Sequence, residues 1–270
     1  MSLTVAILAQ DETGMIAAAI GSASVADEVL VCDGGSTDGT QDIARDAGAR
    51  VVERPFDDFA RQRNFCLEQA TGEWVFFCDA DERITPALGE ELRALSTGAP
   101  EHDAYAVPRR NMALGKWLGW HPGGPDMPVR LLRREGPRWS GAVHEVVEGA
   151  SSIGALRNEL LHLTHRSVSE VVAKIDRYSD FESAHHVEMK GGPAPSAREI
   201  LDAYPRALKD LLRSGLQDEG MEGAIEAALL AFGRTLLLAK VWERSRPEPL
   251  AETYRRVDQE LDQPARNGSA

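Results

Sequence analysis

Short, largely apolar runs alternate with helical segments through the first hundred residues, and this alternation limits the chain to a small set of folds. Leu3-Thr4-Val5-Ala6-Ile7-Leu8, Val29-Leu30-Val31-Cys32, Val51-Val52 and Trp74-Val75-Phe76-Phe77-Cys78 read as four strands. Residues 13–24, 38–47 and 60–70 have helical spacing between them, with Ile16, Ala19, Ile20 and Ala23 on one face of the first. Pro86 suits the first turn of a fourth helix that reaches about Leu95. Strands apolar on both faces belong to parallel sheets covered by helices, so the pattern predicts an α/β fold with a mostly parallel sheet. Gly48 is placed to end the second helix in the left-handed conformation, and Gly72 to cap the third.

Ligands bind such sheets at the carboxyl ends of the strands. Those ends carry Gln10-Asp11-Glu12, Asp33-Gly34-Gly35-Ser36 and Asp79-Ala80-Asp81-Glu82. Asp79 and Asp81 follow an apolar strand, and carboxylates so close repel unless a cation lies between them. They are hard oxygen ligands suited to magnesium or manganese shared with substrate phosphates. A solvated turn with a capping aspartate is the plain alternative. Asp33-Gly34-Gly35-Ser36-Thr37-Asp38 allows a tight turn and a capped helix whose N-terminus attracts negative charge, or is an ordinary strand–turn–helix connection. Neither G-x-G-x-x-G nor a P-loop is present. Arg63, in Arg61-Gln62-Arg63-Asn64, offers a guanidinium to a base, a phosphate or solvent.

From residue 100 to 165 the pattern loosens. Tyr105-Ala106-Val107, Val129-Arg130-Leu131-Leu132 and Leu160-Leu161-His162-Leu163 read as strands among loops. Arg130 and Arg133 face phosphate or solvent; Trp117, Trp120 and His121 form an acceptor platform or part of the core. Beyond 168 the chain turns helical over 169–188, 197–214 and about 222–244, with a Gly/Pro linker at 190–196. The organisation expected is a catalytic domain over 1–167, a helical region over 168–246 and a flexible tail over 247–270. Ile225, Leu229, Phe232 and Leu236 form an apolar stripe for packing on the catalytic domain, for a homo-oligomer contact, or for docking at a membrane surface.

The net charge of −13 excludes the basic footprint of a nucleic-acid binder. Residues 198–246 hold eight basic and eight acidic side chains, a balance that does not favour strong recruitment to anionic lipid. No run approaches the roughly 18 apolar residues of a membrane span, and the apolar N-terminal run lacks a cationic n-region. The expected location is cytoplasmic, or peripheral at the inner face of the membrane. Cys32, Cys66 and Cys78 lack metal-binding spacing and read as reduced core residues.

Taken together, the motifs resemble family 2 glycosyltransferases. "VCDGGSTDGT" is similar to that family's "VVDSGSTDGT", and "RQRNFCLEQATGEWVFFCDADERI" to its block ending in D-A-D-E. "GPDMPVRLLRR" and "WSGAVHE" continue in the same order, and the subgroup that looks most similar is the lipopolysaccharide core β-1,4-glucosyltransferase-like proteins. The resemblance covers roughly residues 3–180, with a looser echo in the C-terminal helices. It implies a GT-A fold, a UDP-sugar donor in the strand-end cleft, a glycan or lipid-linked acceptor, a divalent metal and inversion. By that analogy Asp33 and Arg63 hold the uracil, Asp79 faces the ribose with Ala80 beside it, Gln10 and Glu12 border the nucleotide, and Asp81 binds the metal; Arg130 is a nucleotide-sugar candidate by its strand position, with phosphate or solvent left open. Asp126 and Glu145 are the candidate bases and His144 a second metal ligand, against loop capping for Asp126 and a packed, hydrogen-bonded role for His144. Two departures stand out: Gly34 replaces a second aspartate common in the family, and Gln10-Asp11 replaces Lys-Asn. A non-catalytic assembly or binding subunit and a sugar-nucleotide pyrophosphorylase are the rivals. The latter is disfavoured because Gln10-Asp11-Glu12-Thr13-Gly14 stands where its Gly/Arg-rich loop would be.

Overall fold

The computed structural model describes residues 2–119, 124–141, 145–190 and 193–261. The first half runs β1 (Leu3–Ala9), α1 (Ile16–Ser22), β2 (Glu28–Asp33), α2 (Thr40–Asp46), β3 (Arg50–Glu53), α3 (Phe59–Gln69), β4 (Trp74–Asp79), β5 (Glu82–Ile84) and α4 (Pro86–Thr97). Short strands follow: β6 (Ala104–Ala106), β7 (Arg109–Ala113), β8 (Lys116–Trp117), β9 (Val129–Arg133), β10 (Arg138–Ser140), β11 (Val146–Glu148), β12 (Ile153–Ala155) and β13 (Leu160–Leu163). Helices α5 (Val168–Lys190), α6 (Ala197–Arg213), α7 (Gly220–Arg244) and α8 (Leu250–Leu261) complete the described chain.

The main sheet has the order β12-β6-β9-β4-β1-β2-β3. Strands β3, β2, β1 and β4 pair in parallel, and β9 runs antiparallel between β4 and β6. Successive residues of β1 enter opposite cores: Val5 and Ile7 pack with α1 and α4 residues, whereas Ala6 packs with Leu67 of α3 and with Trp139. This is why the strands read as unbroken apolar runs. The chain leaves β1 toward β2 on one side and returns to β4 on the other, which creates a switch point at the carboxyl ends of β1 and β4. A second sheet, β5-β13-β7-β8, begins after the two residues Ala80 and Asp81 that follow β4 and stands beside that point.

Local chemistry explains the helix ends. Asp58 accepts the Arg61 N–H at 2.7 Å at the start of α3, and Thr85 accepts the Leu88 N–H at 3.2 Å before Pro86 of α4. Gly48 has φ +90°, as its expected place after α2 requires. Gly72 differs from the expected cap: α3 ends at Gln69 with Ala70 as its cap, and a Cβ on Gly72 would lie 2.6 Å from the Thr4 nitrogen. Its small size serves a close backbone approach.

Two compact units emerge: Met1–Glu170 with Asp218–Gly223, and Val171–Gln217 with Ala224–Ala270. The first extends past residue 167 and takes back a short segment in which Glu219 accepts the Gly119 N–H at 2.7 Å. In the second, Lys240 of α7 meets Asp176 at 2.6 Å and Asp180 at 3.1 Å on α5. The buried face of α7 passes through Ala227 and Ala231, while Phe232 of the expected stripe is 42% exposed. Close helix contact favours these small residues, as at Gly233, where a Cβ would stand 3.1 Å from Ile175. The region expected as a flexible tail carries α8. No helix among the described residues is long and apolar enough to cross a membrane.

Candidate functional site

The rim at the carboxyl ends of β1, β2 and β4 is built by loops that grip one another. Asp11 sits at φ +55°, a conformation its short polar side chain tolerates. Its N–H donates to Ser36 Oγ at 2.8 Å, and its carboxylate accepts the Thr37 N–H at 2.8 Å. The Glu12 N–H donates to Thr40 Oγ1 at 2.7 Å. Gln10 is exposed on this rim, and a Cβ on Gly34 would stand 3.4 Å from the Gln10 Cβ. Asp33 is fully buried: it accepts the N–H groups of Gly35 and Ser36 at 3.0 and 2.8 Å, the Ser36 hydroxyl, and Gln41 Nε2 at 2.9 Å. Its carboxylate therefore fastens the turn from within.

Deeper in the cleft, ion pairs and hydrogen bonds form one continuous chain. Arg63 Nε donates to Glu145 at 3.0 Å, and its Nη2 donates to Asp79 at 3.3 Å. Arg130 Nη2 donates to Asp79 and to Glu82, both at 2.7 Å. Arg109 donates to Glu82 at 2.9 Å and to Asp126 at 2.8 Å. Asn111 Nδ2 donates to Asp126 at 2.9 Å, its Oδ1 lies 2.6 Å from His162 Nδ1, and His162 Nε2 lies 3.2 Å from Asp81 Oδ2. Four carboxylates, those of Glu145, Asp79, Glu82 and Asp126, thus share three guanidinium groups, and Asp81 stands beside His162.

Each member of the chain is placed by its element. Arg63 lies one turn into α3, where its guanidinium stands 5.5 Å from the Phe77 ring and 5.3 Å from the Trp139 ring. It is 3% exposed, and its Nη1 has no partner among the described residues. A buried donor left unpaired is costly, and this nitrogen finds no compensation among the described residues. Burial opposes the charge of Asp79, but Arg130 and Arg63 outweigh it and hold the carboxyl well below the usual range. With 31% of its side chain exposed, Asp79 still reaches the cleft. The same exchange raises Arg130: burial lowers its proton affinity, and Asp79 and Glu82 more than restore it. Arg133 follows a different course, pairing with Glu73 and Asp103 over the Trp74 ring, away from this chain.

The Asp79-Ala80-Asp81 turn is clamped. Arg83 donates to the Ala80 carbonyl at 2.8 Å and to the Met15 carbonyl at 3.2 Å. The Leu163 N–H donates to the Asp81 carbonyl at 2.8 Å, docking the turn on β13 and bringing His162 to Asp81. The tautomer of His162 follows from its neighbours. Asp126 only accepts, so Asn111 turns its amide nitrogen there and offers its oxygen to His162 Nδ1–H. The Nε2 lone pair of a neutral ring then faces the Asp81 carboxylate, and two acceptors face to face call for a proton or a metal ion. The carboxylate oxygen suits magnesium or manganese, and the imidazole nitrogen suits a transition-metal ion. No group of three or more His, Cys, Asp or Glu ligands assembles among the described residues. His144, Trp120 and His121 lie outside the described residues.

Sequence reasoning named Asp79, Asp81, Arg63, Arg130, Asp126 and Glu145, and all six lie on this chain. Glu82, Arg109, Asn111 and His162 were missed. The doublet Arg109-Arg110 carried a signal, since strand alternation sends one inward; Arg110 instead covers Trp117 at 4.9 Å. Cys32, Cys66 and Cys78 are free and buried, and burial pushes the Cys78 thiol up.

Residues 4–148 match the family model for glycosyl transferase family 2. The chain is 31% identical over 255 residues to the lipopolysaccharide core biosynthesis glycosyltransferase LpsC of Rhizobium meliloti, covering 90% of this chain and 93% of that one. A glycosyltransferase of Rickettsia typhi is 26% identical, covering 88% of this chain and 86% of its own. Among solved structures, S. aureus TarS 1–349 in complex with UDP-GlcNAc is 14% identical, with a TM-score of 0.45, covering 95% of this chain and 92% of that one.

Proposed function

This chain belongs to glycosyl transferase family 2 and has that family's GT-A architecture, and from that premise we propose that it moves a hexose such as glucose from a UDP-sugar to a glycan or lipid-linked acceptor, with inversion. The similarity to LpsC supports a role in cell-envelope polysaccharide or lipopolysaccharide synthesis. A lipid-linked acceptor places the work at the inner face of the membrane, with the C-terminal helices as the contact.

The observation that carries the reading is the chain of ion pairs at the strand-end switch point, which ends on Asp81 beside His162. Asp81 and His162 are the residues we assign to a divalent cation, with His144 a further candidate. When bound, such an ion neutralises the departing diphosphate. Arg63, with its unpartnered Nη1, holds the nucleotide together with Asp79, Ala80 and Arg130, and Gln10, Glu12 and Asp33 form the rim around it. Asp126 is the better-placed base: it is joined through Asn111 and His162 to Asp81, whereas Glu145 braces Arg63 at the nucleotide end. Asp126 takes the acceptor hydroxyl's proton while that oxygen attacks the anomeric carbon from the face opposite UDP.

The test is UDP release from a panel of UDP-sugars, with manganese and with chelator. One donor should turn over only with the cation, and Asp81→Ala should lower that rate about 100-fold or more. Absence of release with every donor, or an Asp81→Ala enzyme as fast as wild type, ends the reading.

A further inference from the structure

Glu82 closes the acidic run after β4 and opens β5, yet its side chain is 0% exposed. Three donors converge on its two oxygens. Oε1 accepts from Arg130 Nη2 at 2.7 Å and from Arg109 Nη1 at 2.9 Å, and Oε2 accepts the Asp79 N–H at 2.9 Å. Each guanidinium continues to a second carboxylate, Arg130 to Asp79 and Arg109 to Asp126. Arg130 comes from β9 in the main sheet and Arg109 from β7 in the small one, so Glu82 is a tie between the two sheets. The Arg109 N–H also donates to the Asp126 carbonyl at 2.8 Å, which leaves the Asp126 segment fixed to β7 by backbone as well as side chain.

We propose that Glu82 is the positioning residue of the site: one buried carboxylate that sets a nucleotide arm through Arg130 and Asp79 and an acceptor arm through Arg109 and Asp126. The proposal rests on the reading of Asp79 as a nucleotide contact and Asp126 as the base. The position demands a carboxylate. Glutamine has the same shape, but its amide has one acceptor oxygen and a donor nitrogen. Whichever way it turns, that nitrogen faces a guanidinium or the Asp79 N–H, and the buried Arg130 and half-buried Arg109 lose the charge that balances them. Aspartate keeps the charge and draws back by one methylene.

Glu82→Gln, Glu82→Asp, Arg109→Gln and Arg130→Gln are compared with wild type by calorimetric UDP binding in the presence of manganese and by steady-state turnover. Arg130→Gln is expected to weaken UDP binding about tenfold or more. Arg109→Gln keeps UDP affinity near wild type and lowers kcat about 100-fold. Glu82→Gln does both, and Glu82→Asp recovers part of each. A Glu82→Gln protein with wild-type affinity and kcat overturns the proposal, as does an Arg109→Gln protein that loses UDP binding as fully as Arg130→Gln. If Glu82→Gln does not fold, the two arginine variants decide by the same split. Failure of the base reading is visible separately, as an Asp126→Asn enzyme with wild-type kcat. In that event UDP binding by Arg130→Gln and Glu82→Gln still tests the nucleotide arm.

Discussion

Arg63 concentrates several demands in one side chain. Its flat face stands near two aromatic rings, two of its nitrogens meet carboxylates, and Nη1 has no partner among the described residues. Lysine carries the same charge but cannot stack as a plane or divide its donors along a fixed fork. In Arg63→Lys, UDP affinity should fall about tenfold or more by calorimetry, since hydrogen bonds to charged groups contribute about 1.5–3 kcal/mol. An affinity equal to wild type would show that the guanidinium does not face the nucleotide. At this scale the sequence singles out residues with a motif around them more readily than residues defined by their partners. Arg63, Asp79 and Asp81 stood in recognisable strings. His162 lay inside an apolar run and gained its meaning from the pairing of β13 with β5, which brings it from 81 positions away to Asp81. Glu82 looked like one more acid on the rim, and burial beneath Arg130 and Arg109 makes it something else.

Elements buried on both faces were the easiest to foresee. β1, β2 and β4 needed no turn signals, because their residues enter a core on each side of the sheet. The short strands were hidden. β7 reads Arg-Arg-Asn-Met-Ala, and its polar character comes from facing the ion-pair chain. β5 has three residues, too few for a period to show. Gly72 belongs to this scale too, since it sets how closely the start of β4 approaches β1. A methyl group there meets the Thr4 backbone, which cannot swing aside as a side chain tip would. Gly72→Ala should cost about 1–3 kcal/mol of stability by urea denaturation. UDP affinity should hold, because the contact lies at the amino ends of the strands. A variant as stable as wild type would show that β1 and β4 can part locally at little cost.

Across the whole molecule, paired carboxylates tie stability to pH. Asp79 is depressed because Arg130 and Arg63 outweigh its burial. Asp57 is depressed chiefly by its hydrogen bond with Arg54, and Glu28 by bonds to Thr4, Thr71 and Arg50 that outweigh its burial. A carboxyl whose folded value lies below its unfolded one, about 3.9–4.3, stabilises fully above that unfolded value. The contribution drains away as pH falls toward the folded value. Denaturation free energies should therefore hold from about pH 8 to 5 with respect to these groups and decline below about pH 4. An Asp79→Asn protein should start lower and decline less steeply. The compositional change expected near 168 stands close to Glu170, where the long segment of the first compact unit ends. The return of Asp218–Gly223 leaves no signal in the sequence, because it depends on Glu219 finding Lys116 and Gly119 about a hundred positions earlier. That return also orders events during synthesis. The first unit cannot close until residues 218–223 have been made, after the whole of α5 and α6. A nascent chain ending at residue 213 therefore lacks the Glu219 contacts to Lys116 and Gly119.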